Sequence, residues 1–174
     1  MADALPDYFS LFHLESQFEI DVAELTRRYH AIQNEIHPDR YAGKPVHEQR
    51  LAAQQTAYVN EAYRCLKQPL QRAGYLLALR QPGVAEGQPT LDTAFLMEQM
   101  ELRERVEALS GNKNAVADLE TFCDVIDAKK KQWQQVFLRQ LNAQHLEVAT
   151  TALAKWQFME KLQQEAHAAL EPGD

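Results

Sequence analysis

The chain has 174 residues, 45% hydrophobic and 25% charged, enough apolar side chain for one globular domain or two small ones and too much for a disordered tail. Its 18 Lys and Arg stand against 25 Asp and Glu, a formal net charge of -7, which repels phosphate backbones and anionic lipid surfaces and argues against nucleic-acid or membrane partners. No apolar run approaches bilayer length.

The opening residues Met1-Ala2-Asp3-Ala4-Leu5-Pro6-Asp7 are acidic, with neither the apolar core of a signal peptide nor the Arg-rich character of a transit peptide, so a cytoplasmic location is expected. Residues 8–14 are apolar enough for one or two helical turns. Asp21 then caps a longer helix, with Glu24 placed for a capping box and Val22, Leu25, Tyr29, Ile32 and Ile36 forming an apolar stripe. Pro38 disfavours helical geometry at His37, so the helix ends there and passes into a loop over 39–45. A return helix over 47–68 is predicted to place Leu51, Gln55, Tyr58, Ala62 and Leu66 along one side, and Pro69 either kinks it or starts its successor.

The helical pattern continues over 69–79 and is broken over 80–91 by two Pro and two Gly, which marks a domain boundary: 1–79, a linker over 80–91, and 92–174. Three long helices follow, over 92–109, 114–141 and 145–170, the first of them stopped by Ser110-Gly111-Asn112. The middle one carries Leu119, Phe122, Ile126, Trp133, Phe137 and Leu141 at helical spacing, and the last carries Leu146, Ala149, Leu153 and Trp156. Short connections favour an antiparallel three-helix bundle, so the fold class is all-α, a helical hairpin with a short helix joined to that bundle. The run Lys129-Lys130-Lys131 reads as a solvated helix face. Cys65 and Cys123 lack the spacing of a zinc or redox motif and are expected to be small buried residues.

Two surfaces carry chemistry. On the helix ending at His37 each residue advances by about 100°, so Arg27, His30, Asn34 and His37 share one flank that leads into Pro38-Asp39. A weakly basic flank ending in a carboxylate on a rigid turn suits docking to a partner, and an ordinary polar helix face with a stop is the competing account. On the helix over 92–109, Phe95, Leu102, Val106 and Leu109 form a core stripe while Leu96, Met97 and Met100 fall on roughly the opposite side, beside Glu101 and Glu104. Both faces cannot enter one small core, and an apolar patch rimmed by carboxylates suits a protein contact, or packing against the linker or the other domain. Phe158 either extends that patch or fills the core.

A small metal-dependent hydrolase using His37 and Asp39 is the rival from another class. His30 and His37 are seven residues apart, about 10 Å along a helix axis, too far to share one ion at ~2 Å ligand distances. No HExxH pair, Gly-rich phosphate loop or GxSxG elbow is present. No catalytic residue, cofactor or resident metal is expected.

The first part of the chain resembles a J domain: Asp7-Tyr8-Phe9, then a helix with Leu25, Tyr29 and Ile32, His37-Pro38-Asp39, and Glu61-Ala62-Tyr63 with Leu66 on the return helix. Pro69-Leu70-x-Arg72-Ala73-x-Tyr75-Leu76-Leu77 and Asp92-Thr93-Ala94-Phe95-Leu96-Met97-Glu98-Gln99 are narrower and resemble the HscB family of iron–sulfur cluster co-chaperones along nearly the whole chain. The resemblance implies stimulation of ATP hydrolysis by an HscA-type chaperone of the DnaK family and binding of an IscU-type scaffold protein. It implies a chaperone-binding set of Arg27, Arg28, Tyr29, His30, His37, Pro38 and Asp39. Leu96, Met97, Met100, Glu101, Glu104 and Phe158 match scaffold-binding positions. A J-domain co-chaperone for a different client is the alternative. Arg40 after the tripeptide, where Lys is common, is expected to be neutral, and Ala108 weakens the acidic rim. The Cys-rich extension of eukaryotic relatives is missing, which favours a bacterial type.

Overall fold

The helices form where apolar residues recur at three- and four-residue steps and a side chain or turn satisfies the exposed backbone groups at the ends. The computed structural model describes residues 5–82, 89–110 and 116–170, with Pro38 described by its backbone only. Every regular element among the described residues is helical, as an all-α reading requires. Residues 83–88 of the predicted linker and 111–115, which hold Gly111, Asn112 and the predicted start at Asn114, lie outside the described residues. Two compact units divide at Leu76 and Leu77.

In the first unit, Asp7 caps α1 (Tyr8–Leu11) by accepting from the N–H groups of Phe9 and Ser10. Asp21 caps α2 (Val22–Ile36) in the same way through Ala23 and Glu24. The capping box does not close, because Glu24 turns to the cations one turn along its own face and pairs with Arg27 and Arg28. Arg28 also donates to the carbonyls of Phe12 (2.7 Å) and His13, fixing the end of α1 against α2.

The return helix α3 (Val46–Lys67) runs antiparallel to α2: Thr26 meets Tyr63, Tyr29 meets Asn60, and Ile36 meets Thr56. Its buried side agrees with the predicted one at Ala62 and Leu66 and differs over the earlier turns. Leu51 is 55% exposed and Gln55 also faces out, while Ala52, Val59, Ala62 and Leu66 are buried. The two helices approach over small side chains, which brings Ala52 and Ala62 inward and turns the neighbouring Leu51 away. Phe9, Phe12, Leu25 and Leu66 complete the core.

Pro69 starts a new helix, α4 (Pro69–Arg80), and the boundary between the units falls inside it. Arg72 is buried, donates 2.5 Å to the carbonyl of Leu66 in the last turn of α3, and places its guanidinium 4.8 Å from the centre of the Phe18 ring. It thus satisfies an orphan carbonyl and sets a positive charge at a helix C-terminus.

The second unit contains α5 (Thr93–Ser110), α6 (Val116–Asn142) and α7 (Leu146–Leu170). Helices α6 and α7 form an antiparallel pair, with Phe137 against Trp156 and Lys130 near Glu160 and Gln163. Phe95, Leu102, Val106, Leu119, Phe122, Ile126, Met159 and Leu162 form one core among the three helices. Leu109 packs at its edge. The lysine run is not a freely solvated face: Lys129 pairs with Glu98 of α5, Lys130 reaches Glu160 of α7, and Lys131 pairs with Asp127. Two of the three lie at helix junctions, where carboxylates from neighbouring helices converge on them. Both cysteines are free, Cys123 buried and Cys65 partly exposed.

Replacing Arg72 by Ala leaves the Leu66 carbonyl unsatisfied inside the first unit. The expected loss is about 1–3 kcal/mol, measured as a lower urea midpoint at unchanged slope. Phe122→Ala, in the second core, is expected to cost about 3–5 kcal/mol by the same measurement.

Candidate functional site

At the end of α2, His37 leaves helical geometry (φ -56°, ψ 132°), and Pro38–Tyr41 form a single 3-10 turn. The His37 ring is part of the turn: its Nδ1 accepts from the Asp39 N–H at 3.3 Å and lies 3.4 Å from the Asp39 carboxylate. Arg40 N–H donates to the His37 carbonyl (3.0 Å), Lys44 N–H to the Tyr41 carbonyl (3.0 Å), and Gly43 takes φ +87°, a conformation costly for other residues. Gln49 of α3 donates to the Lys44 carbonyl. The turn is therefore built by backbone bonds, one ring nitrogen and the Gln49 amide, leaving the Asp39 carboxylate in solvent.

The predicted chaperone-facing residues divide in two. Arg27, His30, His37 and Asp39 are exposed. Arg28 and Tyr29 are tied into the unit itself: Arg28 to α1, and Tyr29 stacked on Tyr63 with centroids 4.0 Å apart while donating to Asn60. Among the described residues, no three His, Cys, Asp or Glu side chains gather where they could hold a metal ion.

The second unit holds the other surface. Leu96, Met97 and Met100 are 44%, 59% and 65% exposed, while Phe95, Leu102 and Val106 of the same helix are buried. Glu101 and Glu104 are exposed beside them. Phe158 of α7 is half-buried; its ring meets Phe95 edge-on at 5.9 Å, and the Arg103 guanidinium stands 5.8 Å from its centre. It both supports the core and borders the exposed face. A cleft of about 570 Å³ adjoins the patch, lined by Asp92, Met97, Glu98, Glu101, Trp133 and Lys155.

Of these, Asp92, Glu98, Trp133 and Lys155 were not among the candidate binding residues. Lys155 is buried, with its Nζ 2.5 Å from the Asp92 carboxylate. The available signal was a lysine set between Leu153 and Trp156 on an apolar stripe, where a cation needs a partner. Lys155, followed by the N–H of Phe95, holds the Asp92 carboxyl below its ordinary 3.8.

The family model of the HscB C-terminal oligomerisation domain matches residues 91–167, which span α5, α6 and most of α7. The chaperone HscB from Vibrio cholerae is 36% identical over 94% of this chain and 96% of its own, with a TM-score of 0.82. The chain belongs to the HscB co-chaperone family. The human co-chaperone protein HscB is 28% identical, with 95% of this chain and 83% of that one covered and a TM-score of 0.83. As an HscB-family protein, the chain is a co-chaperone. No helix among the described residues is long and apolar enough to cross a membrane.

Because the Asp92 carboxyl titrates below 3.8 in the folded protein, its pair with Lys155 contributes stability above that pH. The contribution is lost as the pH falls through the lowered value. Asp92→Asn is expected to lower the melting temperature near neutrality and to flatten this acid limb, so that its difference from the parent shrinks as the pH falls through the lowered value.

Proposed function

We propose that this protein couples two partners: an HscA-type chaperone of the DnaK family, engaged by a J domain through the His37-Pro38-Asp39 turn, and an IscU-type iron–sulfur scaffold engaged by α5. The observation that carries the reading is the two-sided α5, which buries Phe95, Leu102 and Val106 while leaving Leu96, Met97 and Met100 in solvent beside Glu101 and Glu104. A contiguous apolar face with a carboxylate rim is costly to expose and suits a partner of matching shape with basic groups at its edge. The flexible thioethers adapt to that partner.

On the first unit, Asp39 offers an uncovered carboxylate to a cationic group such as an arginine of the chaperone, with Arg27 and His30 adding donors along α2. Arg28 and Tyr29 support that surface from within. The outcome is a coupling free energy: the co-chaperone holds scaffold and ATPase together, raises the effective concentration of each for the other, and accelerates hydrolysis carried out by the chaperone. The reading includes no cofactor of its own and a cytoplasmic site of action.

Steady-state ATPase of an HscA-type chaperone, with and without scaffold, tests both ends. Asp39→Ala is expected to remove stimulation at unchanged helical circular dichroism; retained stimulation overturns the role of the turn. The triple change Leu96→Ala, Met97→Ala, Met100→Ala is expected to weaken scaffold binding by about 1–3 kcal/mol per contact that the complex buries, with the basal stimulation intact. Stimulation by a protein that fails to bind scaffold at all would instead identify a J-domain co-chaperone for a different client.

A further inference from the structure

Helix α5 poses a choice that hydrophobic burial does not decide. Phe95, Leu102 and Val106 face the core, and Leu96, Met97 and Met100 face solvent, yet either set is apolar enough to be buried. A full exchange of the two faces would carry Glu101 and Glu104 inward, but smaller rotations of the helix change the buried apolar area little. Something directional has to select the face.

Arg72 and Lys155 are the buried charged residues among the described residues, and only Lys155 is in the second unit's core; it is 8% exposed. Its ammonium projects from α7 and makes three contacts on the other two helices. It bonds the Asp92 carboxylate at 2.5 Å, lies 4.8 Å from the centre of the Phe95 ring, and lies 4.5 Å from the centre of the Trp133 ring. The same Asp92 accepts from the Phe95 N–H at 2.9 Å and so caps α5. Phe95 in turn meets Trp133 edge-on at 5.9 Å. One cation therefore grips α5 at its first turn, by its cap and by the ring that must point inward.

We infer that Lys155 is the positioning residue of the proposed scaffold-binding face: its contacts with Asp92, Phe95 and Trp133 fix the rotation of α5 and so keep Leu96, Met97 and Met100 on the outside. The cost of desolvating an ammonium makes the pair a weak source of stability, and its effect is on which packing is adopted. The other cross-helix ion pair on α5, Glu98 with Lys129, is about one-third exposed on each side; in the Lys155 pair the carboxylate is 56% exposed but the ammonium only 10%, so the buried cation and its two ring contacts set Lys155 apart. The inference rests on the proposed binding role of α5, but the helix rotation it describes is measurable without any partner.

The test follows methionine oxidation by dilute peroxide, residue by residue, in the full chain. In the parent protein Met97 and Met100 are expected to oxidise quickly and the fully buried Met159 slowly. In Lys155→Met, which keeps an unbranched apolar stem and loses the ammonium, Met97 and Met100 are expected to slow several-fold at unchanged helical circular dichroism, and the emission of Trp133 to shift in a Trp156→Phe background. Asp92→Asn keeps the helix cap, since Asn caps nearly as well as Asp, and breaks only the charge pair. It is expected to shift both signals in the same direction even where Lys155→Met proves too destabilised to study. Lys155→Arg is expected to restore part of the parental oxidation pattern. Parental oxidation rates and emission in Asp92→Asn, or in a folded Lys155→Met, overturn the inference. Altered oxidation with unchanged scaffold affinity supports the positioning role and counts against α5 as the binding face, so the two failures are distinguishable.

Discussion

Burial of one apolar stripe per helix is the constraint on which this structure depends. A helix of ordinary length gains little from its own backbone bonds in water, so each of these helices is held by the face it presents to its neighbours. In the first unit α2 packs on α3, which buries its Ala52, Val59, Ala62 and Leu66; in the second, Phe122, Ile126 and Met159 occupy the common centre of three helices. What these faces leave over is the material available for function.

The leftovers differ between the two units. In the first, a helix is forced to stop at His37 because Pro38 follows, and the backbone that would have continued upward folds into a turn whose groups are satisfied internally. The Asp39 side chain is left exposed, with only the His37 ring beside it. In the second, the leftover is apolar: one helix has hydrophobic side chains in excess of what its core can accept. A charged residue inside that core, anchored by its partner on α5, supplies the direction that oily contacts lack, since burial is nearly indifferent to rotation while a hydrogen bond is not.

The helices themselves were legible in the sequence because capping residues, prolines and apolar periodicity are local signals. Asp21 was readable as a cap and caps α2; Asp7 and Asp92 do the same for α1 and α5, and Pro69, readable as a kink or a start, begins a helix. The outward face of Leu96, Met97 and Met100 was legible too, since a helix that is apolar on two sides announces a surplus. On α3 the buried positions Ala62 and Leu66 were read correctly, while Leu51 and Gln55 were read in place of Ala52 and Val59, because Leu51 outranks Ala52 on hydrophobicity and the closeness of two helices is not written in either one. The lysines at 129–131 looked solvated for a related reason: Glu98 and Glu160 lie about thirty residues away along the chain and meet them only when the helices assemble.

The sequence by itself determined what is set by neighbours along the chain: an all-helical protein, the stop at His37, the caps, and a helix with two apolar faces. Tertiary structure decided which groups are shared between helices. It assigned Arg28 and Tyr29 to holding the hairpin, placed Arg72 on the last turn of α3, and brought Asp92, Phe95, Trp133 and Lys155 together around one ammonium. Periodicity specifies the angle of a side chain about its own axis, but contacts between distant segments depend on the distance and rotation of whole helices, which only packing fixes.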